Sequence, residues 1–501
     1  MLELKNISIK IKERYLIKNL NLTLNKGDKL AIIGEEGNGK STLLKAILNK
    51  CDYATITGNI NFHNYKIGYL EQSINNEEQN KTVFNYLFLN AEDYYNKINN
   101  LYKYLEILKL NDQILEQILC TLSGGEKIKI NLLKILLEEN DILFLDEPTN
   151  DLDIKTLEWL ENFLLNCHKP IIYISHDETL LAKTANMILH LEQIKNKTDC
   201  RHTILKTDYE SYITARLKKI AKETQVAKFE KREHKKKELK LQQVMNKVAH
   251  EQSTISRSNP HGAKMLKKKM HSLKSQEKKL EQDVLTEIPD VEEGINFFFS
   301  PINIPNNKTI INLTLNELIV KNRVLAKDIN LEVVGNEHIC IIGDNGIGKS
   351  TLIKGIYHKL QFRTDIKVGY MPQNYNEILK EYPLVLDFIS PTKNKEEITR
   401  ARTILGNMKL TNEEMLSPIN NLSNGTKAKI FLAKLVLDQN NVLILDEPTR
   451  NVSPLSNHII RQALKEFAGT IISVSHDRKY IEEVIDTIYL LSLSGLKKIN
   501  K

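Results

Sequence analysis

The sequence contains no long apolar run. No stretch of its 501 residues approaches the ~20 apolar residues that a membrane-spanning helix requires. This absence excludes a transporter that carries its own membrane segment and leaves open only one that works with a separate membrane subunit. The opening residues, Met-Leu-Glu-Leu-Lys, show no signal-peptide pattern either. We therefore expect a cytoplasmic protein that does not act at a membrane.

Cysteine is scarce and scattered. The number of cysteines is odd, and no two of them form a Cys-x-x-Cys pair: Cys51, Cys120, Cys167, Cys200 and Cys340. This spacing predicts neither a disulfide framework nor a zinc site, and it suits a reducing cytoplasm. A chain of this length is typical of two domains with an additional segment.

One set of motifs is present twice. Each copy has, in the same order, a glycine-rich loop, a glutamine, a Leu-Ser-x-Gly motif, an Asp-Glu pair and a Ser-His-Asp motif. The first copy comprises residues 34–42, Gln72, 122–126, 146–147 and 175–177, and the second comprises residues 343–351, Gln373, 422–426, 446–447 and 475–477. An offset of 300 residues separates three equivalent pairs: Ser123 and Ser423, Glu147 and Glu447, and His176 and His476. Chance does not match five elements twice, so we predict an internally duplicated ATPase.

The glycine-rich loops have the Gly-x-x-x-x-Gly-Lys-Ser pattern, in which glycine lets backbone N–H groups curl around phosphate oxygens. Lys40 and Lys349 are expected to reach the β- and γ-phosphates, and Ser41 and Ser350 to ligate Mg²⁺. An apolar run before each loop and a helical pattern after it predict a strand, a loop and a helix, whose N-terminus faces the anion. The residues expected to bind nucleotide here are Gly34, Gly37, Gly39, Lys40, Ser41, Thr42, Gly343, Gly346, Gly348, Lys349, Ser350 and Thr351.

The two Asp-Glu pairs follow short apolar runs, residues 142–145 and 442–445, which are typical of buried parallel strands. Asp146 and Asp446 are expected to hold Mg²⁺, and the glutamates after them to polarise the attacking water. A histidine follows each glutamate by 29 residues, again after an apolar run. The predicted catalytic residues are therefore Glu147, His176, Glu447 and His476.

These motifs resemble those of ATP-binding cassette (ABC) domains, over roughly residues 1–205 and 305–495. The resemblance implies an α/β fold of two P-loop ATPase domains, the first and second cassettes, packed head to tail. Each ATP would lie between the phosphate-binding loop of one cassette and the Leu-Ser-x-Gly signature of the other. The first site would combine Lys40, Gln72, Glu147 and His176 with Ser423 and Gly425. The second site would combine Lys349, Gln373, Glu447 and His476 with Ser123 and Gly125.

The second copy departs from the family pattern. Its signature has Asn424 in place of glycine and Thr426 in place of glutamate, and the segment after its Asp-Glu pair begins with Arg450 where the first copy has Asn150. We therefore expect both sites to bind ATP and to hydrolyse it at unequal rates. No aromatic residue stands at the usual adenine-stacking position, and Tyr15 is the nearest.

A basic segment separates the cassettes. From Thr214 to Val284 there are 20 Lys and Arg against 8 Asp and Glu, a net charge of +12, whereas the whole chain is +8. The rest of the chain is thus slightly acidic. Apolar spacing predicts one helix over residues 212–252 and a second over about 263–283. Pro260 and Gly262 are expected to set the turn between them. We predict three regions: a first cassette over 1–207, a basic helical-hairpin linker over 208–300, and a second cassette over 301–501.

Two cassettes joined by a basic helical hairpin resemble the ABC-F family, whose members act on ribosomes. Dense polyanion is the natural partner of such a hairpin. The resemblance implies a single-chain monomer that binds the ribosome, with the hairpin tip near rRNA, P-site tRNA and the peptidyl-transferase centre. The tip and its flank are expected to contribute Arg257, Asn259, His261, Lys264, Met265, Lys267, Lys268 and Lys269.

Within the ABC-F family, the chain resembles the Lsa/Vga-type antibiotic-resistance branch in two features. The first cassette has no long insertion of the kind that forms an arm, and the signature of the second cassette reads Ser-Asn-Gly-Thr. Only 51 residues separate Gln72 from Ser123, and 50 separate Gln373 from Ser423. Two alternatives stay open. One is a housekeeping translation factor without a drug phenotype, and the other is the ATPase subunit of a transporter.

Overall fold

The computed structural model describes residues 2–71, 77–88, 91–150, 152–194, 198–254, 260–281, 297–299, 304–320, 323–392 and 394–499. The chain forms two units: Met1–Tyr209 together with Glu292–Lys501, and Glu210–Val291. Both copies of the motifs lie in the first unit.

The first cassette is built on strands and helices that alternate along the chain. Its strands are β1 (Leu2–Ile11), β2 (Arg14–Leu24), β3 (Lys29–Ile33), β4 (Thr55–Asn61), β5 (Ile67–Leu70), β6 (Ile142–Asp146), β7 (Ile171–Ile174), β8 (Met187–Ile194) and β9 (Asp199–Leu205). Its helices are α1 (Lys40–Ile47), α2 (Val83–Leu87), α3 (Ala91–Leu108), α4 (Gly124–Leu137), α5 (Ile154–Asn166) and α6 (Glu178–Thr184).

Six of these strands form the central sheet, in the order β5-β6-β7-β3-β8-β9. All neighbours are parallel except β8 and β9. Strands β6 and β7 are buried along their whole length, because a parallel sheet is covered on both faces and needs continuous apolar runs. The carboxyl ends of β3, β6 and β7 meet at one edge of the sheet, and that edge carries the loop, the Asp-Glu pair and the histidine.

The second unit contains two long helices, α7 (Tyr209–Thr254) and α8 (Pro260–Glu281). At ~1.5 Å per residue, α7 is roughly 69 Å long. A ring nitrogen of His234 lies 2.9 Å from the carbonyl oxygen of Leu280, so the helices run antiparallel. Val248 and Leu273 are buried, whereas Leu217 and Phe229 of α7 are 61% and 64% exposed.

The prediction that Pro260 and Gly262 set the turn was wrong. Helix α7 continues to Thr254, and α8 begins at Pro260 with Gly262 in its first turn. Proline is favoured at the first helical position, because its missing N–H would have no partner there and its φ is already helical. Ser253 and Thr254, in the last turn of α7, donate their hydroxyls to the carbonyl oxygen of His250.

The second cassette repeats the first. Its strands are β10 (Thr309–Val320), β11 (Arg323–Val334), β12 (His338–Ile342), β13 (Val368–Met371), β14 (Val442–Asp446), β15 (Thr470–Val474), β16 (Thr487–Ser492) and β17 (Gly495–Ile499). Its helices are α9 (Lys349–Leu360), α10 (Asn376–Leu379), α11 (Val385–Ile389), α12 (Lys395–Asn407), α13 (Asn412–Leu416), α14 (Asn424–Leu437), α15 (Pro454–Lys465) and α16 (Arg478–Val484). The sheet order β13-β14-β15-β12-β16-β17 matches that of the first cassette strand for strand, and confirms two domains of the same α/β fold.

Ion pairs join the two cassettes. Arg461, whose side chain is only 2% exposed, donates to both carboxylate oxygens of Glu178 in the first cassette, at 2.7 and 3.3 Å. Arg478 lies 3.2 Å from Asp177, and Lys479 lies 3.1 Å from Glu178. These contacts fix the two cassettes side by side, next to the Ser-His-Asp segments.

Candidate active sites

Each phosphate-binding loop (residues 34–39 and 343–348) connects a central strand to a helix, β3 to α1 and β12 to α9. Gly39 and Gly348 precede these helices with φ of 90° and 98°, a left-handed conformation that strains other residues. A Cβ at these positions would also come within 2.9 Å of Leu16 and 2.8 Å of Leu318. Both positions therefore require glycine. Each glycine lies directly before its helix, so that the first turn of the helix faces the loop.

The loop lysines are buried and fold back into their own loops. Lys40 Nζ donates to the carbonyl oxygens of Gly34 at 2.7 Å and Glu35 at 3.1 Å. Lys349 Nζ donates to the equivalent oxygens of Gly343 and Asp344 at 2.8 and 3.0 Å. Burial lowers the pKa of Lys349. Each ammonium group thus lies inside the concavity that its loop encloses. Gly37 and Gly346 lie within the loops, and Thr42 and Thr351 lie in the first turn of the following helices.

The aspartates of the two Asp-Glu pairs have the properties of cation ligands. Ser41 Oγ lies 3.0 Å from Asp146 Oδ1. Burial, and then the adjacent glutamate, raise the pKa of Asp146 to about 6 and that of Asp446 to about 7. Within the described residues, Asp146 Oδ2 and Asp446 Oδ1 are buried without a hydrogen-bond partner. A hydroxyl oxygen beside such a carboxylate is a donor set that fits Mg²⁺.

Glu147 and Glu447 have an unusual backbone conformation. Their φ angles are 53° and 55°, in the left-handed region that costs a residue with a side chain about 1–3 kcal/mol. The surrounding sheet imposes this conformation, since their N–H groups donate to Ile174 and Val474 of the neighbouring strands at 3.0 and 2.9 Å. The consequence is that both carboxylates are held at the sheet edge beside the loops.

The predicted histidines lie next to these glutamates. His176 Nε2 is 3.2 Å from Glu147 Oε1, and His476 Nε2 is 3.9 Å from Glu447 Oε1. The two glutamates differ in pKa. Burial opposes ionisation of Glu147, but His176 and Asn150 hold its pKa at about 2. Burial raises the pKa of Glu447 to about 7, and the N–H of His476 offsets this only in part. The two sites are therefore electrostatically unequal.

The second site is a cavity of about 1040 Å³ between the cassettes. The first cassette contributes signature residues to its wall, and the second contributes the loop, the Asp-Glu pair and the histidine. The predicted residues that line it are Ser123, Gly125, His176, Gly346, Gly348, Lys349, Ser350, Thr351, Gln373, Asp446, Glu447 and His476. The structure thus brings together the set that the resemblance assigned to the second site.

In the first site, the signature of the second cassette also faces the opposite loop. Ser423 Oγ lies 3.4 Å from Glu36 Oε2, and the same carboxylate packs against Gly425. The neighbouring Glu35 accepts hydrogen bonds from Ser456 at 2.7 Å and from Ser453, and forms an ion pair with Lys429 at 3.1 Å. Gln72, which the sequence assigned to this site, lies outside the described residues.

Sequence reasoning missed several residues around the sites. Glu35 and Glu36 are apparent only when the two loops are aligned, where Asp344 and Asn345 stand opposite them. Leu325 lines the cavity and lies 24 residues before Lys349, the same separation as between Leu16 and Lys40. That repeated spacing was a usable signal for an apolar wall beside each loop. Tyr15, the nearest aromatic residue, has two lysine ammonium groups 5.1 and 5.3 Å from its ring.

The linker residues expected near the tip lie partly within the structure. His261, Lys264, Met265, Lys267, Lys268 and Lys269 belong to α8, and all six are exposed. Arg257 and Asn259 lie outside the described residues. Nothing in this unit assigns these side chains a role by itself, so they stay predictions.

The family model described as ABC transporter matches residues 17–150 and 326–450, more than half of the chain. The chain belongs to this family, and it is an ATP-binding ATPase. The resemblance to ABC-F proteins is confirmed by relatives that match almost its whole length. The ATP-binding protein Uup of Buchnera aphidicola is 29% identical over 99% of this chain and 81% of its own. The ribosome protection protein VmlR of Bacillus subtilis is 29% identical over 99% of this chain and 87% of its own.

Solved structures support the fold. The archaeal ribosome recycling factor aABCE1, in complex with the stalk protein aP1, superposes with a TM-score of 0.59 and 16% identity, over 96% of this chain and 88% of that one. At this identity the similarity concerns the two-cassette fold alone. Among the described residues, no helix combines the length and the apolar character needed to cross a membrane.

Proposed function

We propose that this ATPase binds the ribosome and protects it against antibiotics of the peptidyl-transferase centre. The observation that carries the proposal is the basic pair of antiparallel helices, α7 and α8, inserted between two ATPase cassettes. The relatives support it, since one of them is named ribosome protection protein. A ribosomal partner would also agree with the expected cytoplasmic location.

The charge of the linker favours a polyanionic partner. Its net charge of +12 contrasts with a slightly acidic remainder of the chain, so the attraction would be concentrated in the linker. Lys267, Lys268 and Lys269 are all exposed on α8. Lysines that contact phosphates release condensed counterions, which is the main source of affinity for nucleic acid. An ATPase subunit of a transporter would have no use for this charge.

The cassettes would supply an ATP-driven switch. Because each site draws residues from both cassettes, bound ATP would stabilise their closed arrangement and hydrolysis would release it. Glu147 and Glu447 would polarise the attacking water, and His176 and His476 would hold it in line. Ser41 with Asp146, and Ser350 with Asp446, would hold Mg²⁺, which neutralises charge on the β- and γ-phosphates when it is bound.

The resistance role is tested by expression in a drug-susceptible bacterium that lacks such proteins. We expect higher inhibitory concentrations for several drugs that bind the peptidyl-transferase centre, and unchanged values for drugs that act away from the ribosome. The matched control is the Lys40→Ala/Lys349→Ala double variant at equal protein level, which should give no protection. Unchanged inhibitory concentrations from the wild type would favour the housekeeping alternative.

Ribosome binding is expected to depend on the lysines of α8. Replacing Lys267, Lys268 and Lys269 together by Glu should weaken co-sedimentation with ribosomes by at least about tenfold in affinity and should flatten its salt dependence. ATPase activity without ribosomes should stay close to wild type, because none of these residues belongs to a cassette.

The matched control for this variant makes the same change of charge on the cassettes, at the exposed Lys26, Lys66 and Lys395. It should weaken ribosome binding less than the α8 variant does. An equal loss in the two variants would mean that only net charge matters. Loss of basal ATPase in the α8 variant would mean that these lysines support the fold.

A further inference from the structure

The two phosphate-binding loops differ in charge at one position. The first reads Gly-Glu-Glu-Gly-Asn-Gly and the second Gly-Asp-Asn-Gly-Ile-Gly, so Glu36 stands where the second loop has Asn345. A second negative charge inside a phosphate-binding loop would repel the phosphate. The placement of this carboxylate therefore requires an explanation.

The Glu36 carboxylate lies on the signature of the opposite cassette. Its Oε2 atom is 3.4 Å from Ser423 Oγ, and a Cβ placed on Gly425 would be only 1.4 Å from that oxygen. Ser423 is the N-cap of α14, and Gly425 lies in the first turn of this helix. A helix N-terminus attracts negative charge. Glu36 thus lies where the signature would meet the terminal phosphate of a bound nucleotide.

The environment of Glu36 does not stabilise its charge well. Its Oε1 atom is buried and has no hydrogen-bond partner in the described part of the chain. Burial raises the pKa of Glu36 to about 7, against the attraction of Lys429. The contrast with Glu35 is informative, since Lys429, Ser453 and Ser456 hold the pKa of Glu35 at about 2 against the same burial. Glu35 has a complete set of partners and Glu36 does not.

The second site differs at the equivalent place. Asn345 borders the cavity of about 1040 Å³ together with Ser123 and Gly125. The side chain of Asp344, the counterpart of Glu35, forms an exposed ion pair with Lys155 at 3.7 Å. Ser123 and Gly125 of the first signature therefore border a cavity, whereas Ser423 and Gly425 of the second signature contact a carboxylate from the opposite loop, although Asn424 between them also borders the cavity.

We propose that Glu36 competes with the terminal phosphate of ATP at the first site, so that ATP binds there only when this side chain rotates away from Ser423 and Gly425. Two negative groups cannot share one anion-binding place. The second site, which has Asn345, would fill first, and the first site would control when the cassettes close. This inference rests on the proposed assignment of the ATP sites.

The competition is tested by calorimetric titration of the full chain with Mg²⁺ and either the non-hydrolysable analogue AMP-PNP or ADP. The Lys349→Ala background isolates the first site. In that background, Glu36→Asn should raise the affinity for AMP-PNP by about tenfold or more. The affinity for ADP should change little, because ADP lacks the phosphate with which Glu36 competes.

The mirror variant provides the matched control. In the Lys40→Ala background, which isolates the second site, Asn345→Glu should weaken AMP-PNP binding by about tenfold or more and leave ADP binding nearly unchanged. If Glu36→Asn fails to fold, as judged by thermal unfolding, the result for Asn345→Glu alone tests the competition.

Three results separate the possible failures. Unchanged AMP-PNP affinity in Glu36→Asn, or in Asn345→Glu where that variant decides alone, would overturn the competition. An equal gain for ADP and AMP-PNP would also overturn it, because the residue would then act on the loop as a whole. Full binding by Lys40→Ala/Lys349→Ala would instead show that the site assignment is wrong.

Discussion

Replacing both Glu147 and Glu447 by Gln is expected to stop ATP turnover and to hold the protein on ribosomes. Glutamine has nearly the same size and keeps the contact surface, but it cannot accept a proton from the attacking water. Loss of a positioned base typically slows a reaction by about 10²–10⁴-fold. ATP would still bind between the cassettes, so the closed arrangement should accumulate. The measurement is co-sedimentation with ribosomes in the presence of ATP, alongside steady-state phosphate release.

Two comparisons make this result interpretable. The Lys40→Ala/Lys349→Ala variant also lacks turnover, but it should not be retained, because it cannot hold ATP. The double glutamine variant should likewise show no retention when ADP replaces ATP. If it sediments with ribosomes no better than wild type in ATP, the proposed coupling between cassette closure and ribosome binding is wrong.

Exchanging residues 255–259 for a Gly/Ser segment of equal length is expected to abolish drug protection while leaving ribosome binding and ATPase activity intact. Helix α7 ends at Thr254 and α8 begins at Pro260, so the exchange leaves both helices unchanged. Phosphate contacts along the helices would position the linker on rRNA, whereas side chains at its end would contact whatever lies there. Inhibitory concentrations for drugs of the peptidyl-transferase centre should fall to those of cells without the protein.

The matched control for the exchange is Met265→Ala, which changes an exposed side chain of α8 just beyond the exchanged residues. It should retain more protection than the exchanged chain at equal protein level. Full protection from the exchanged chain would show that residues 255–259 only connect the two helices. Ribosome binding lost together with protection would show that these residues anchor the linker.

The sequence by itself determined the class of this protein. Short apolar runs such as residues 142–145 predicted buried parallel strands, and the structure has β6 there. The strand, loop and helix around Lys40 and Lys349 were equally predictable, because glycine conformation and helix initiation are local properties. The long helix of the linker followed from the apolar spacing over residues 212–252. These features depend on neighbours in the chain, so a single sequence contains them.

Other features were decided only by tertiary structure. Glu36 and Ser423 are 387 residues apart, and no local pattern places one on the other. The pKa values of Glu147 and Glu447 differ although each is followed by a histidine at the same spacing, and packing sets the histidine 3.2 Å from the first carboxylate and 3.9 Å from the second. Pro260 begins a helix where a turn was predicted. Proline is compatible with a turn and with the first position of a helix, and the surrounding structure determines which of the two forms. Burial, charge compensation and contacts between the cassettes arise when distant segments pack together, so the packed structure was needed to see them.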